Sequence, residues 1–339
     1  MTCVYPNKKE LLAHVGRAEQ VASIRRATLE DGKGRGMRVV DVTTGGGLAF
    51  TVYPDRGLDI GPATFEGVPF VWTTCNGPVA PAFYDGTGFE WLRTWCGGLL
   101  TTAGLLNVGG PFTGEDGVHG LHGRQDALPA EQVNTRAEWI DAEHYLLEVT
   151  AKIVHARVFG ENLVSTRTIR SYLGAKTVEI EDVTENCGDQ ATPYMRLYHM
   201  NFGWPLVSED CELVAPDHVV TPQRDYGAAA ADWMHFGRPV AGQAEQVYYH
   251  DQAADAEGWA TMAIVNPKAG FQMKLSYTKA ELPYLVQWKM PGQGLYVMGL
   301  EPANCLPEGR PANAEKGILR TLQPGESVTT KVRVELSTL

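Results

Sequence analysis

The stretch Tyr284–Cys305, YLVQWKMPGQGLYVMGLEPANC, decides how the rest of the chain reads. An apolar strand over Tyr284–Trp288 is expected to turn at Pro291-Gly292 into a second apolar strand over Leu295–Leu300. That strand delivers one carboxylate, Glu301. Pro302 follows it and has no N–H for a ladder, so the strand is expected to stop at the acid. A carboxylate placed where a buried strand opens into a loop is presented from a rigid base, a common way to hold a catalytic group.

Outward from this pair the chain reads as β-structure. Met37–Val42 and Leu48–Tyr53 flank a Thr43–Gly47 turn as a hairpin, and a short strand is expected over Val68–Trp72. Further strands are expected over Tyr145–Val154, Asn162–Leu173, Thr177–Thr184, Pro193–Phe202, Trp259–Val265, Gly270–Tyr277 and Thr329–Leu336. In the third of these, Glu179 and Glu181 alternate with Val178, Ile180 and Val183, the pattern of a sheet with one wet face. Only Asn7–Val15 reads as a helix, with Asn7 as cap, Glu10 three residues on and Gly16 as stop. Gly77–Gly120 is Gly-rich, aromatic and irregular, and loops of that length in a compact protein usually serve function. Ala228–Gly258 reads as an excursion from the sheet containing a helical turn.

The expected fold class is therefore all-β and mainly antiparallel: a large two-sheet sandwich in one domain over residues 1–339, with residues 1–20 as a helical extension. The 37 Gly and 20 Pro suit short strands and turns. With 40 acidic against 29 basic residues the net charge is −11, which argues against nucleic-acid or anionic-membrane partners. No apolar run approaches the ~20 residues of a membrane span, and the N-terminus lacks a signal-like apolar core. The six cysteines are scattered without a CxxC pair, so a cytoplasmic protein with reduced thiols is expected.

Three groups of residues could carry chemistry. Arg196–Pro205, RLYHMNFGWP, places His199 on the same strand face as Leu197 and Asn201. Gly117–Arg124, GVHGLHGR, presents His119, His122 and Arg124 from a Gly-rich hinge. Gln287-Trp288-Lys289 stands beside Glu301 in the opening stretch. An imidazole and a carboxylate on opposite sides of a small ligand can move two protons at once. A nearby Trp offers a platform for the C–H face of a sugar, and Arg, His, Asn and Gln offer hydrogen bonds for hydroxyls. A polyol or sugar site is the expectation.

LHGR (Leu121–Arg124), YHMNFG (Tyr198–Gly203) and GLEP (Gly299–Pro302), in that order, resemble the aldose 1-epimerase or galactose mutarotase-like superfamily. The resemblance is nearest to its uncharacterised mutarotase-related branch, which carries RGLDIG, GGLLTTxGL and LHGR stretches, and it runs from about Asp55 to Cys305. It implies a β-supersandwich and a mutarotase needing no cofactor or metal. By that resemblance His199 is the acid toward the ring oxygen and Glu301 the base on the anomeric hydroxyl, with Glu301 ionised and His199 the proton donor at the start. His122 and Arg93 would contact sugar hydroxyls, with Arg124, Asn201, Gln287 and Trp288 completing the substrate site. The sequence departs from the common pattern at Tyr198, at Asn201-Phe202 and at Arg124, and Asp225 would have to stand for the family's substrate-binding Asp. Arg56, Arg93 and Arg124 raise the expectation of an anionic sugar, phosphorylated or acidic. The partner implied is a small sugar, neutral or anionic, and a homodimer is compatible with it. Three other readings stand beside the mutarotase: a carbohydrate-binding or sensing protein without catalysis, an epimerase acting at a carbon other than C1, and a metal-dependent sugar isomerase using His119 and His122.

Overall fold

A computed structural model describes residues 5–216, 218–227 and 232–339. Two antiparallel sheets face each other. The larger runs, in spatial order, through Ser23–Thr28, Arg38–Thr43, Leu48–Tyr53, Asp59–Phe65, Leu100–Leu105, Thr192–Gly203, Leu295–Ala303, Tyr284–Gly292, Gln246–Asp251 and Val219–Pro222. The smaller runs through Glu212–Val214, Trp259–Asn266, Phe271–Thr278, Ser327–Thr338, Thr177–Asn186, Asn162–Tyr172, Tyr145–Ala156 and Glu131–Trp139. This is the large two-sheet antiparallel sandwich that the strand reading and the resemblance lead one to expect. The short helix is Lys8–His14, and the Asn7 side chain accepts from the Glu10 N–H at 3.1 Å. No helix of the described residues is long and apolar enough to cross a membrane.

Alternation builds the core. Leu48, Phe50 and Val52 from one sheet meet Val178, Ile180, Met273, Leu275, Val332 and Val334 from the other in one apolar cluster. A second, smaller cluster lies on the other face of the large sheet, where Leu197, Val247, Val286 and Ala303 pack. The large sheet is thus covered on both faces near its centre, and the second face carries the site described below.

Charge also crosses the sandwich. Arg167 and Asp182 of the small sheet meet Arg196 and Asp59 of the large one, all four at 3% exposure or less. Asp182 binds Arg167 at 2.8 Å and Arg196 at 2.5 Å, and Arg167 also reaches Asp59 at 2.6 Å. Tyr198, Ser165, Thr184 and Thr102 hydrogen-bond the same groups. Burial alone would push Asp182 up, but Arg167 and Arg196 override it and hold the carboxyl at about 2. Burial raises Asp59 to about 6 against the pull of Arg167.

Several elements differ from the sequence reading. The strand carrying Glu301 continues to Ala303, with Pro302 paired to Leu285. Pairing to Thr192–Gly203 holds at Met200–Leu300 and Leu197–Ala303 but lapses around Glu301 and Pro302, so the missing N–H falls in a gap of that ladder. Pro291 is likewise inside a strand, paired with Tyr296, and the turn sits at Gln293-Gly294, where Gly294 takes φ +78°. Leu100–Leu105 is a central strand inside the stretch expected to be irregular, because it is buried on both faces and shows no alternation. Gln246–Asp251 is a strand within the expected excursion, whose residues 228–231 lie outside the described residues. The expected Val68–Trp72 strand is reduced to Val68–Pro69.

Replacing Asp182 by Asn leaves two buried guanidiniums short of a charge and should cost about 3–5 kcal/mol, the usual price of breaking a buried pair. Denaturant unfolding checks it. The depressed Asp182 pKa means its stabilisation is complete above the ordinary Asp range and is lost as pH falls toward about 2. The Asn variant should therefore lose less stability than the parent over that acid interval.

Candidate active site

Strand parity places the site. Along Thr192–Gly203, Tyr198, Met200 and Phe202 point into the inter-sheet core, so Leu197 and His199 turn to the opposite face. The neighbouring strand brings Glu301 beside His199, and the next brings Val286 and Trp288. A one-turn 3-10 helix, Glu90–Arg93, drops Trp91 onto this surface, with Trp95 just beyond it. The loop at Leu121-His122 and the Gly109-Gly110 backbone close the side. Together they line a cavity of about 340 Å³, at the lower end of the size typical of ligand pockets.

At its floor His199 Nε2 lies 3.2 Å from Glu301 Oε1, with side chains 6% and 3% exposed. The approach is not aligned as a hydrogen bond: Glu301 Oε1 and His199 Nδ1 have no hydrogen-bond partner. Unsatisfied buried polar atoms are rare, and a pair of them facing a cavity marks groups kept ready for a ligand. Burial pushes the His199 imidazole down to about 3, helped by His122, and pushes Glu301 well above the ordinary carboxylate range, helped by Glu245. Burial thus disfavours the charged form of both groups. It works against the ionised Glu301 that the resemblance implies and leaves His199 to donate more readily as a neutral imidazole than as an imidazolium. The two also stand side by side on adjacent strands rather than facing each other across the cavity.

Aromatic rings frame the pair. Trp95 stacks on Trp91 at 4.8 Å and meets His199 edge-on at 5.0 Å, while Trp288 meets His199 at 5.4 Å. Each indole N–H is engaged by protein: Trp91 donates to Asp126, Trp95 to Thr101 and Trp288 to Glu245. The rings therefore offer the cavity only their apolar faces. His122 sits in the left-handed region at φ +57°, and its Nδ1 accepts from the Gly109 N–H at 3.3 Å. The proton is thereby placed on Nε2, and burial holds the ring neutral by lowering its pKa to about 4.

Of the residues expected in the site, His199, Glu301, His122 and Trp288 line the cavity together. The other four do not. Gln287 points to the opposite face, where it contacts His250 and donates to the Trp233 carbonyl, because strand parity that brings Trp288 inward sends Gln287 away. Asn201 is buried beneath the site and donates to the carbonyls of His199 and Gly98, bracing the strand. Arg93 lies on the solvent side of the 3-10 turn, 77% exposed and paired with Glu90. Arg124 faces a separate cavity of about 70 Å³ with His119 and His155. Arg56 is also committed elsewhere, paired at 2.5 Å with Asp126, the carboxylate that holds Trp91. No Lys or Arg is among the described residues lining the cavity around His199 and Glu301, so the arginines expected to bind an anionic sugar are not there. Asp225 caps a turn at the surface, and Glu245 is the carboxylate that actually reaches the rim. His119 pairs with Asp116 rather than joining His122, and the described residues hold no group of three His, Cys, Asp or Glu placed to ligate a metal.

Trp91, Trp95 and Glu245 are among the lining residues that sequence reasoning missed. The pair of Trp four residues apart in the irregular stretch was a usable signal; Glu245, in a weakly patterned segment, gave none.

The chain belongs to the DUF4432 family, a domain of unknown function, whose family model matches residues 34–336. No curated protein matches the sequence. Among solved structures it is similar to a Klebsiella pneumoniae protein with a provisional aldose 1-epimerase assignment, at TM-score 0.85 and 23% identity over 93% of this chain and 83% of that one. A galactose mutarotase-like protein of Clostridium acetobutylicum matches at TM-score 0.66 and 14% identity, covering 94% of this chain and 100% of the other. Galactose 1-epimerase of Lactobacillus acidophilus matches at TM-score 0.62 and 14% identity, covering 94% and 99%. At these identities the likeness establishes the shared fold.

Gly299 of the GLEP stretch has a physical reason. A Cβ there would stand 2.4 Å from Glu301 Oε1 and 3.0 Å from Trp288 Cβ. The carboxyl is the movable partner, so Gly299→Ala should displace it from His199 while the sandwich stays folded. A crystal structure of the variant, with its circular dichroism, checks both halves of that expectation.

Proposed function

We propose that this protein is an aldose 1-epimerase that exchanges sugar anomers by opening and reclosing the ring. The observation that carries the reading is the unsatisfied His199–Glu301 pair, 3.2 Å apart at the floor of an aromatic-walled cavity. Trp91, Trp95 and Trp288 suit the C–H faces of a pyranose, and His122 Nε2–H and Glu245 suit its hydroxyls. The absence of Lys and Arg from the described lining, with two carboxyls present, favours a neutral sugar over a phosphorylated or acidic one.

The chemistry needs one proton held between the two groups. With Glu301 ionised and His199 protonated, Glu301 takes the O1 proton while His199 protonates the ring oxygen. The C1–O5 bond breaks, C1=O1 forms, and the pair is left neutral. Rotation about C1–C2 presents the other carbonyl face, and reversing the same transfers closes the second anomer. The neutral pair favoured by burial is thus the open-chain half of the cycle. A bound sugar promotes the ionised half, because its hydroxyl donates to Glu301 and its ring oxygen accepts from His199, replacing the solvation that burial removed.

Removing either group should lower exchange by at least about 10²-fold, the scale of general acid–base catalysis. Two-dimensional exchange NMR of anomeric protons, with Glu301→Gln and His199→Asn against a panel of neutral aldoses, reads this directly. Near-parent exchange in either variant rejects the assignment, and saturable sugar binding without exchange in the parent supports a binding protein instead.

The pH profile gives a second check. His199 is held down at about 3 and Glu301 is held above the ordinary carboxylate range, so His199 should gain no further proton at mildly acidic pH. Turnover should be flat there and fall on the acid side only toward pH 3. An acid limb centred near pH 6 would mean that His199 titrates as an ordinary exposed imidazole.

A further inference from the structure

Anomer exchange at a buried pair dictates which way a sugar enters. In a pyranose C1 and the ring oxygen are adjacent, and the edge opposite them is C3–C4. His199 and Glu301 lie at the closed end, next to Trp95 and Val286, which are 6% and 1% exposed. The reacting edge must face that floor, so the C3–C4 edge faces the mouth.

The mouth is not a plain polar rim. Phe89 and Leu92 line it at 61% and 49% exposure, the first capping the 3-10 turn and the second within it, on either side of the buried Trp91 in sequence. The exposed polar lining residues are Gln223 and Glu245. An exposed ring bordering a cavity beside hydrogen-bonding side chains is a stacking platform for a second sugar.

We infer that the site takes the reducing end of a 1→4-linked oligosaccharide, with the reducing ring on His199 and Glu301 and the next ring lying on Phe89. This rests on the anomer exchange proposed above. Extension at O4 leaves through the mouth without disturbing the floor. Extension at O6 starts from C5, next to the ring oxygen and so nearer the floor than the mouth.

The test is exchange NMR of anomeric protons with glucose, maltose, cellobiose and isomaltose, on the full chain and on Phe89→Ala, whose exposed position leaves the core untouched. Maltose and cellobiose should show a KM about three- to tenfold below that of glucose, the scale of one aromatic stacking contact. Phe89→Ala should erase most of that difference, and isomaltose should show none of it. Exchange of glucose without exchange of the 1→4-linked disaccharides overturns this inference and leaves anomer exchange standing. So does a disaccharide advantage that survives Phe89→Ala or is shared by isomaltose. No exchange with any of the four sugars overturns both.

Discussion

Asp182 shared between Arg167 and Arg196 is the contact on which the rest of this molecule depends. Four ionised side chains lie between the two sheets with almost no exposure, and their hydrogen bonds run to hydroxyls on both sides. Such a cluster is stable only when every member is satisfied, so it fixes the distance and register between the sheets more sharply than apolar packing does. Several family-like stretches find their explanation here. Asp59 of RGLDIG and Thr102 of GGLLTTAG bind Arg167, and Arg196 and Tyr198 stand three positions and one position before the site histidine. Much of what looks like a functional signature is the ionic seam of the sandwich.

The site inherits its geometry from that seam. Arg196 and Tyr198 are anchored in the interior, so parity turns His199 outward onto the other face of the same strand. The adjacent strand sets Glu301 beside it, and Gly299 leaves room for the carboxyl to lie there. A second buried pair, Arg56–Asp126, holds Trp91 by its indole N–H and so shapes the wall. Rigid elements on three sides keep two polar groups unsatisfied in an apolar surround, an arrangement a protein retains where a ligand completes it.

Strand alternation made most of the sheets readable, and the missed strands are those without it. Leu100–Leu105 is buried on both faces and interrupted by glycine, so its period is invisible. Of the site, His199, Glu301, His122 and Trp288 were legible because each sits in a short stretch with a chemical reason. Gln287 was an avoidable error, since two successive residues of a strand cannot face the same cavity. The arginines misled for another reason. A guanidinium looks the same in sequence whether it neutralises a buried carboxylate, as Arg56 does, or sits on the surface, as Arg93 and Arg124 do.

By itself the sequence determined an antiparallel sandwich, an acidic chain poorly suited to polyanions, and a histidine and a glutamate as the groups to watch. Those are consequences of local period, composition and side-chain chemistry, which need no neighbours to be read. Only the tertiary structure decided that the two groups meet, that their burial favours the neutral forms, that three tryptophans and Glu245 surround them, and that the arginines stay outside. Each of those depends on which strands become neighbours and on how much water is excluded between them, and neither quantity is written in any single stretch of the chain.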